Sequence, residues 1–238
     1  MTEIKVGCCG FAKARKLYFQ QFQLVEIQQT FYKPPDLATA RKWRQEAPED
    51  FEFSLKAWQE ITHLPSSPTY HKAGLEIPPD EVDCYGFFKP STEVFQAWQT
   101  TRDIAKILKA KVIVFQCPAT FHPSAENIQN MTDFFTTIDR DDFIFAWEPR
   151  GQWNNDTIIA LCKKLELVHC VDPLENMPAY GKLKYFRLHG GPGYHHQYSD
   201  RELIRLRELS TGPAYVLFNN MTMYQDALRF KQLMQAGR

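Results

Sequence analysis

The chain has 238 residues, with 28 basic residues balancing 28 acidic ones, a formal net charge of zero and 44% apolar side chains. This balance excludes a bulk electrostatic binder of nucleic acid, although it leaves room for a local basic cleft. No apolar run approaches the roughly 18 residues of a membrane span, none of the six cysteines forms a C-x-x-C pair, and Met1–Lys5 has no signal-peptide character. The expectation is a reduced, cytoplasmic protein without a zinc ribbon.

In chain order, a first strand is expected over Ile4–Cys9, ending at Gly10, and a short helix over Lys13–Phe22. A second strand over Leu24–Phe31 precedes Tyr32-Lys33-Pro34-Pro35, and Asp36 is a good cap for a helix over Leu37–Glu46. The third strand is Phe51–Trp58. An irregular stretch with five prolines then fills 59–90, a length that marks a functional or disordered loop. Helix 92–108, strand Lys111–Cys117 and a helix capped by Ser124 lead to a fifth strand, Phe143-Ile144-Phe145-Ala146-Trp147-Glu148-Pro149-Arg150. A helix from Asn155 or Asp156, a strand over Leu167–Val171 and a strand over Tyr185–His189 follow. A helix from Asp200, a strand over Ala214–Asn219 and a helix over Met223–Met234 complete the chain. Eight strands alternating with helical segments imply a single-domain (β/α)8 TIM barrel, with 59–90 inserted after the third strand as a lid over the C-terminal mouth. An open doubly wound sheet is disfavoured, because no G-x-G-x-x-G turn follows the first strand.

In a strand, residues two apart share a face. One parity choice per strand therefore turns Glu26, Gln28, Lys56, Gln116, Glu148, Arg150, Asp172, Arg187, His189 and Asn219 toward one mouth, with Glu52, Ser54 and Arg187 deeper, where a structural charge network in the barrel is the alternative reading. A buried ion pair at one strand end is structurally ordinary; polar residues at the C-terminal ends of six or more strands are hard to explain by packing.

The motifs Val25-Glu26-Ile27-Gln28-Gln29-Thr30-Phe31-Tyr32, Phe53-Ser54-Leu55-Lys56-Ala57, Ile61-Thr62-His63, Phe115-Gln116-Cys117-Pro118, Trp147-Glu148-Pro149-Arg150, Arg187-Leu188-His189-Gly190 and Phe218-Asn219-Asn220 occur in that order. Taken together they resemble the YecE-like family, a domain of unknown function, over nearly the whole chain. The resemblance implies a TIM barrel and a site that includes Glu26, Lys56, His63, Glu148, Arg150, Arg187, His189 and Asn219; it implies no reaction. Its likeness to endonuclease IV and xylose-isomerase-like barrels is one of fold. The chain departs from the commoner pattern at Gly7-Cys8-Cys9-Gly10-Phe11, Gln28-Gln29 and Cys117, as a branch with a different substrate would.

Three chemistries stay open at this point. The first is an enzyme for a small anionic substrate with no obligatory cofactor. Lys56, Arg150 and Arg187 would supply positive charge, Glu148 or Glu26 the base and His189 the proton shuttle, with Gln116 and Asn219 orienting the substrate. Gln28, Tyr32, Trp58, His63 and Asp172 would line the site. The second is a metal-dependent phosphodiester hydrolase or isomerase, holding Mg, Mn or Zn on Glu26, Glu148, Asp172 and His189. The third is a non-catalytic nucleic-acid-binding module, with the mouth aromatics Phe31, Tyr32, Trp58, Trp153 and Tyr194 stacking bases. In addition, Gly190 and Gly191, beside the start of the last helix, suggest an anion site completed by Arg187.

Overall fold

The computed structural model describes residues 4–236. Strands β1 (Ile4–Cys9), β2 (Leu24–Ile27), β3 (Glu52–Lys56), β4 (Val112–Gln116), β5 (Ile144–Glu148), β6 (Val168–Val171), β7 (Lys184–Leu188) and β8 (Ala214–Phe218) pair in parallel, in sequence order, into a closed barrel. Helices α1 (Arg15–Gln21), α2 (Gln29–Tyr32), α3 (Leu37–Glu46), α4 (Gln59–Thr62), α5 (Pro68–Ala73), α6 (Thr92–Leu108), α7 (Ala125–Thr137), α8 (Asn155–Leu165), α9 (Asp200–Leu209) and α10 (Met223–Ala236) occupy the connections. This is the TIM barrel expected from the alternation. Five helices start where a short polar side chain accepts the N–H three residues on: Asp36, Ser91, Ser124, Asn154 and Ser199. No helix among the described residues is long and apolar enough to cross a membrane.

The period of two sorts the strand residues as expected. Phe53, Leu55, Phe115, Phe145 and Trp147 pack under the helices, while Val112, Val114, Ala146, Cys170, Tyr185 and Leu217 fill the barrel interior. β1 and β2 approach so closely that a Cβ at Gly7 would stand 2.2 Å from the Leu24 carbonyl oxygen, so only glycine fits there. At the N-terminal end the interior closes with a Lys5–Glu52 ion pair at 2.8 Å, and the Tyr215 hydroxyl donates to Glu52. Along β3, Glu52, Ser54 and Lys56 then climb the inner wall at roughly 6.6 Å per step.

Two expectations about local structure are corrected. The second strand stops at Ile27 rather than Phe31, because the chain turns helical at Gln28 (φ −89°, ψ −26°) and runs on as α2. Thr30 ties this turn down by placing its hydroxyl 2.7 Å from the Lys56 carbonyl oxygen. The segment 59–90 is likewise not irregular throughout. It carries α4, which packs on α6, and α5, which packs on α2. Its end is pinned by two backbone bonds, Gly86 N–H to the Glu60 carbonyl at 2.8 Å and Phe88 N–H to the Ile61 carbonyl at 2.9 Å. Gly86 has φ +76°, and a Cβ on it would lie 2.4 Å from the His63 carbonyl oxygen. Phe88 is fully buried against Phe115, Phe121, Phe134 and Phe135.

Glu60 in α4 is buried, and that burial raises its carboxyl from the usual carboxylate range to about 7. A carboxyl raised in the folded state stabilises fully below its unfolded value and loses that contribution as pH rises toward the folded one. Glu60→Gln should therefore match the parent near pH 4 and gain stability across pH 4 to 7, reaching about 1 kcal/mol after allowance for partial solvation. Urea unfolding at several pH values measures this; a difference that does not grow with pH over that window would refute it.

Candidate active site

The C-terminal mouth is built around Arg187. Its side chain, 1% exposed, comes up from β7 into the barrel axis. Nη2 pairs with Glu26 Oε1 at 2.9 Å, and Nη1 pairs with Glu148 Oε2. Gln116 Oε1 is 3.3 Å from Nη1. Glu26, also fully buried, accepts from Gln28 Nε2 and from the Tyr185 hydroxyl at 2.7 Å, which itself lies 2.8 Å from Ser54 Oγ. A guanidinium is thus shared between two buried carboxylates, each with further donors, as burial of these charges requires. Burial and the two carboxylates act oppositely on Arg187, and the carboxylates win, holding it well above its ordinary value.

Glu148, at the end of β5, reaches the edge of this network. Its Oε1 accepts from Arg150 Nε at 2.7 Å and Nη2 at 2.6 Å, and lies 3.0 Å from His189 Nε2. Burial alone would raise this carboxyl, but Arg187, the His189 hydrogen bond and Arg150 outweigh it and hold it well below the usual range. A carboxylate so stabilised is a poor proton acceptor. The lone pairs of Glu26 are similarly committed. The geometry therefore argues against Glu148 or Glu26 as the base.

Lys56, at the end of β3, is the contrasting group. It is 5% exposed and, among the described residues, its amine makes no hydrogen bond or ion pair; Nζ sits 3.4 Å above the centre of the Phe31 ring. Burial, with the Arg187 and Arg150 charges, outweighs the pull of Glu148 and Glu26 and brings the amine down to about 7. The ring face favours the ammonium and limits that fall. His63, entering from the insertion, packs its ring 4.9 Å from that of Phe31 and places Nδ1 2.8 Å from Thr62 Oγ1. Burial, with the Lys56 charge second, lowers its imidazole to about 3, so the ring is neutral.

His189 ends β7 with its Nε2 facing both Arg150 Nη2 at 2.7 Å and Glu148 Oε1, while Nδ1 is 3.1 Å from Asn219 Nδ2. A neutral imidazole nitrogen can accept from arginine or donate to glutamate, not both. Two tautomers therefore compete here, and the position of Arg150 selects between them. The Asp172 carboxylate takes the His189 N–H at 2.9 Å and the Leu174 N–H at 3.1 Å, and burial, outweighing these two bonds, raises it above the usual carboxylate range. It positions the end of β7 and lines the inner part of the cleft between β5 and β6.

Several expected residues are engaged in other contacts. The Tyr32 ring packs edge-on against Phe31 at 5.0 Å, with Lys72 on it at 5.0 Å. The Trp58 backbone N–H points to Thr101 Oγ1 at 3.4 Å, and its buried indole Nε1 has no hydrogen-bond partner among the described residues. The Gly190 N–H is taken by the Tyr198 hydroxyl at 2.7 Å, and the Tyr194 N–H closes back on the Gly191 carbonyl at 3.1 Å. The start of α10 is already filled by the buried Asp226 carboxylate, bonded to Asn220 and Thr222 at 2.7 Å each. Gly190 and Gly191 therefore form a turn, and Arg187, locked at the axis, does not complete an anion cradle there. The concavity at the mouth is instead a cleft of about 290 Å³ running outward between β5 and β6, from Glu148, Arg150 and His189 past Trp153, His169 and Met177.

The model of the family described as "Protein of unknown function DUF72" matches residues 10–238. The chain belongs to the DUF72 family. A DUF72 protein from Enterococcus faecalis V583, EF0366, superposes with a TM-score of 0.72 at 20% identity, over 99% of this chain and 98% of that one. Another, TM1631 from Thermotoga maritima MSB8, gives 0.71 at 18% identity over 98% and 99%. In sequence, the UPF0759 protein YunF of Bacillus subtilis (strain 168) is 29% identical over 117 residues, which is 49% of this chain and 36% of that protein. In this DUF72 barrel, no three His, Cys, Asp or Glu side chains among the described residues converge as a metal set. Arg187 stands between Glu26 and Glu148, and Asp172 faces backbone amides, so the four residues considered for Mg, Mn or Zn do not fit a metal.

Tyr185 was not among the expected site residues, although it shares the parity of Arg187 and could have been read from it. Phe31 was expected at the mouth only as a stacking aromatic; its place under the Lys56 amine follows from the early end of β2.

Proposed function

We propose that this chain is an enzyme that acts on a small anionic substrate by proton transfer at the C-terminal mouth of the barrel, with Lys56 as the base. The observation that carries this reading is an amine buried at the mouth with no carboxylate partner, poised near neutrality. A base is most useful when its acidity constant lies near working pH. Arg150 is the anion grip: its side chain is 35% exposed at the edge of the cleft, and a guanidinium fork suits carboxylate or phosphate. When an anion draws Arg150 away from His189, Nε2–H of that ring is left to Glu148, and His189 becomes a proton carrier. Asn219 orients the ring, Gln116 steadies Arg187, and Asp172 fixes the strand end that presents His189.

Calorimetric titration with inorganic phosphate, pyruvate, glyoxylate and dihydroxyacetone phosphate tests the grip. At least one anion should bind, and Arg150→Met should weaken it about tenfold or more, the equivalent of ~1.4 kcal/mol. No binding across the panel, or equal binding by the variant, would sink the reading.

A further inference from the structure

We infer that Lys56 forms a covalent imine with an aldehyde or ketone that carries a carboxylate or phosphate. This deepens the reading of Lys56 as a free amine and rests on it. The barrel interior contains its own comparison. At the N-terminal end, Lys5 pairs with Glu52 at 2.8 Å. At the mouth, Lys56 extends along the same inner wall and has no such partner, although Glu26 and Glu148 share its surroundings; both carboxylates are given over to arginines. A lysine serving only as a counter-charge would have taken one of them. The arginines instead neutralise the carboxylates and repel a proton on the amine, while the Phe31 face at 3.4 Å limits the directions from which Nζ can be approached. These are the conditions that make lysine a nucleophile: desolvation, neighbouring cations and a fixed approach.

The step balances within the site. The Nζ lone pair forms a bond to the carbonyl carbon while the carbonyl π pair moves to oxygen. Both amine hydrogens then pass to that oxygen, which departs as water as the second carbon–nitrogen bond forms. Solvent water relays these protons, because His63, packed against the same Phe31 ring, is lowered to about 3 by burial and is too weak a base to carry them. No oxidant or reductant is needed. The substrate's anionic group would rest on Arg150 at the edge of the cleft, with its carbonyl turned inward from that cleft, which Lys56 does not line, toward the barrel axis.

Incubation of the full chain with pyruvate, glyoxylate or dihydroxyacetone phosphate in the presence of sodium borohydride, followed by peptide mass mapping, tests this directly. Lys56 should carry the reduced adduct about 100-fold faster than the surface lysines at pH 7, and Lys56→Arg should abolish the fast phase. In parallel, carbon-13 NMR of the lysine side chains reports the Lys56 amine without any reagent. If Lys56 titrates near 7 but forms no adduct with any of the three compounds, the imine is overturned and the base reading stands. If it titrates like the surface lysines and forms no adduct, both are overturned. A fast adduct that persists in Lys56→Arg overturns the assignment to this residue.

Discussion

Replacing Arg187 with methionine should cost about 3–5 kcal/mol of folding free energy at pH 7. The guanidinium sits between two buried carboxylates, and its removal leaves both charges uncompensated in a site that water barely reaches. The size of the effect reflects that exposure of two charges, not the net value of the ion pair, which would be far smaller against an apolar replacement of all three groups. Adding Glu148→Gln to Arg187→Met should therefore restore part of the loss. The single variant should also raise the Lys56 amine above 7, since a cation that repels its proton is gone and two anions are released to attract it. Because Glu148 is depressed in the parent, its contribution is present above the unfolded carboxylate value and disappears as pH falls through the folded one. Arg187→Met should thus lose most of its disadvantage in acid. Urea unfolding from pH 3 to 8 gives all of these quantities; a loss under about 1 kcal/mol at pH 7 would show that the carboxylates are well solvated.

Lys56→Met should do the reverse and stabilise the protein by about 3 kcal/mol at pH 7. The amine falls from an ordinary lysine value to about 7 in the folded state. Between pH 7 and about 10.4 the unfolded chain holds the proton that the folded chain has released, so parent stability rises with pH across that interval. Below 7 the full cost of charging the buried amine is felt. Methionine removes that cost and the slope with it, while forfeiting the Phe31 contact, which is why the expected gain is smaller than the shift alone implies. Variant and parent should converge near pH 10. A variant that is no more stable at pH 7, or that keeps the same slope from 7 to 10, would mean that Lys56 is comfortably solvated. A residue that weakens the fold where it stands is accounted for by use, as with other strained groups in active sites.

The interior-facing set was legible because a strand has a period of two: Glu26, Lys56, Glu148, Arg187 and His189 meet at one mouth as their parities require. Pairing was not legible. Periodicity fixes a face, not a distance, so nothing in the sequence distinguished carboxylates saturated by Arg187 and Arg150 from carboxylates free to act. The roles of Glu148 and Lys56 exchange on that point. Thr30 and Phe31 look like strand continuation by composition, yet the chain bends at Gln28, and the bend brings the aromatic ring under the amine. The glycine-rich turn after β7 could be read as a cradle or as a corner, and the Tyr198 hydroxyl on the Gly190 N–H, the Tyr194 N–H on the Gly191 carbonyl and the Asp226 carboxylate at the start of α10 favour the corner.

The way the insertion is seated couples a distant position to the site. Gly86 lies against the His63 carbonyl, while Phe88, two residues on, is locked among four aromatic rings. Changes of length or sequence in the exposed span Pro78–Asp83 can be absorbed by solvent. A side chain at 86 cannot, because the Phe88 anchor prevents retreat and the displacement must pass to His63, then to Phe31 and the amine above it. Residue 86 thus backs the His63 segment whose ring packs on Phe31 beneath Lys56, although it is thirty positions from that lysine along the chain.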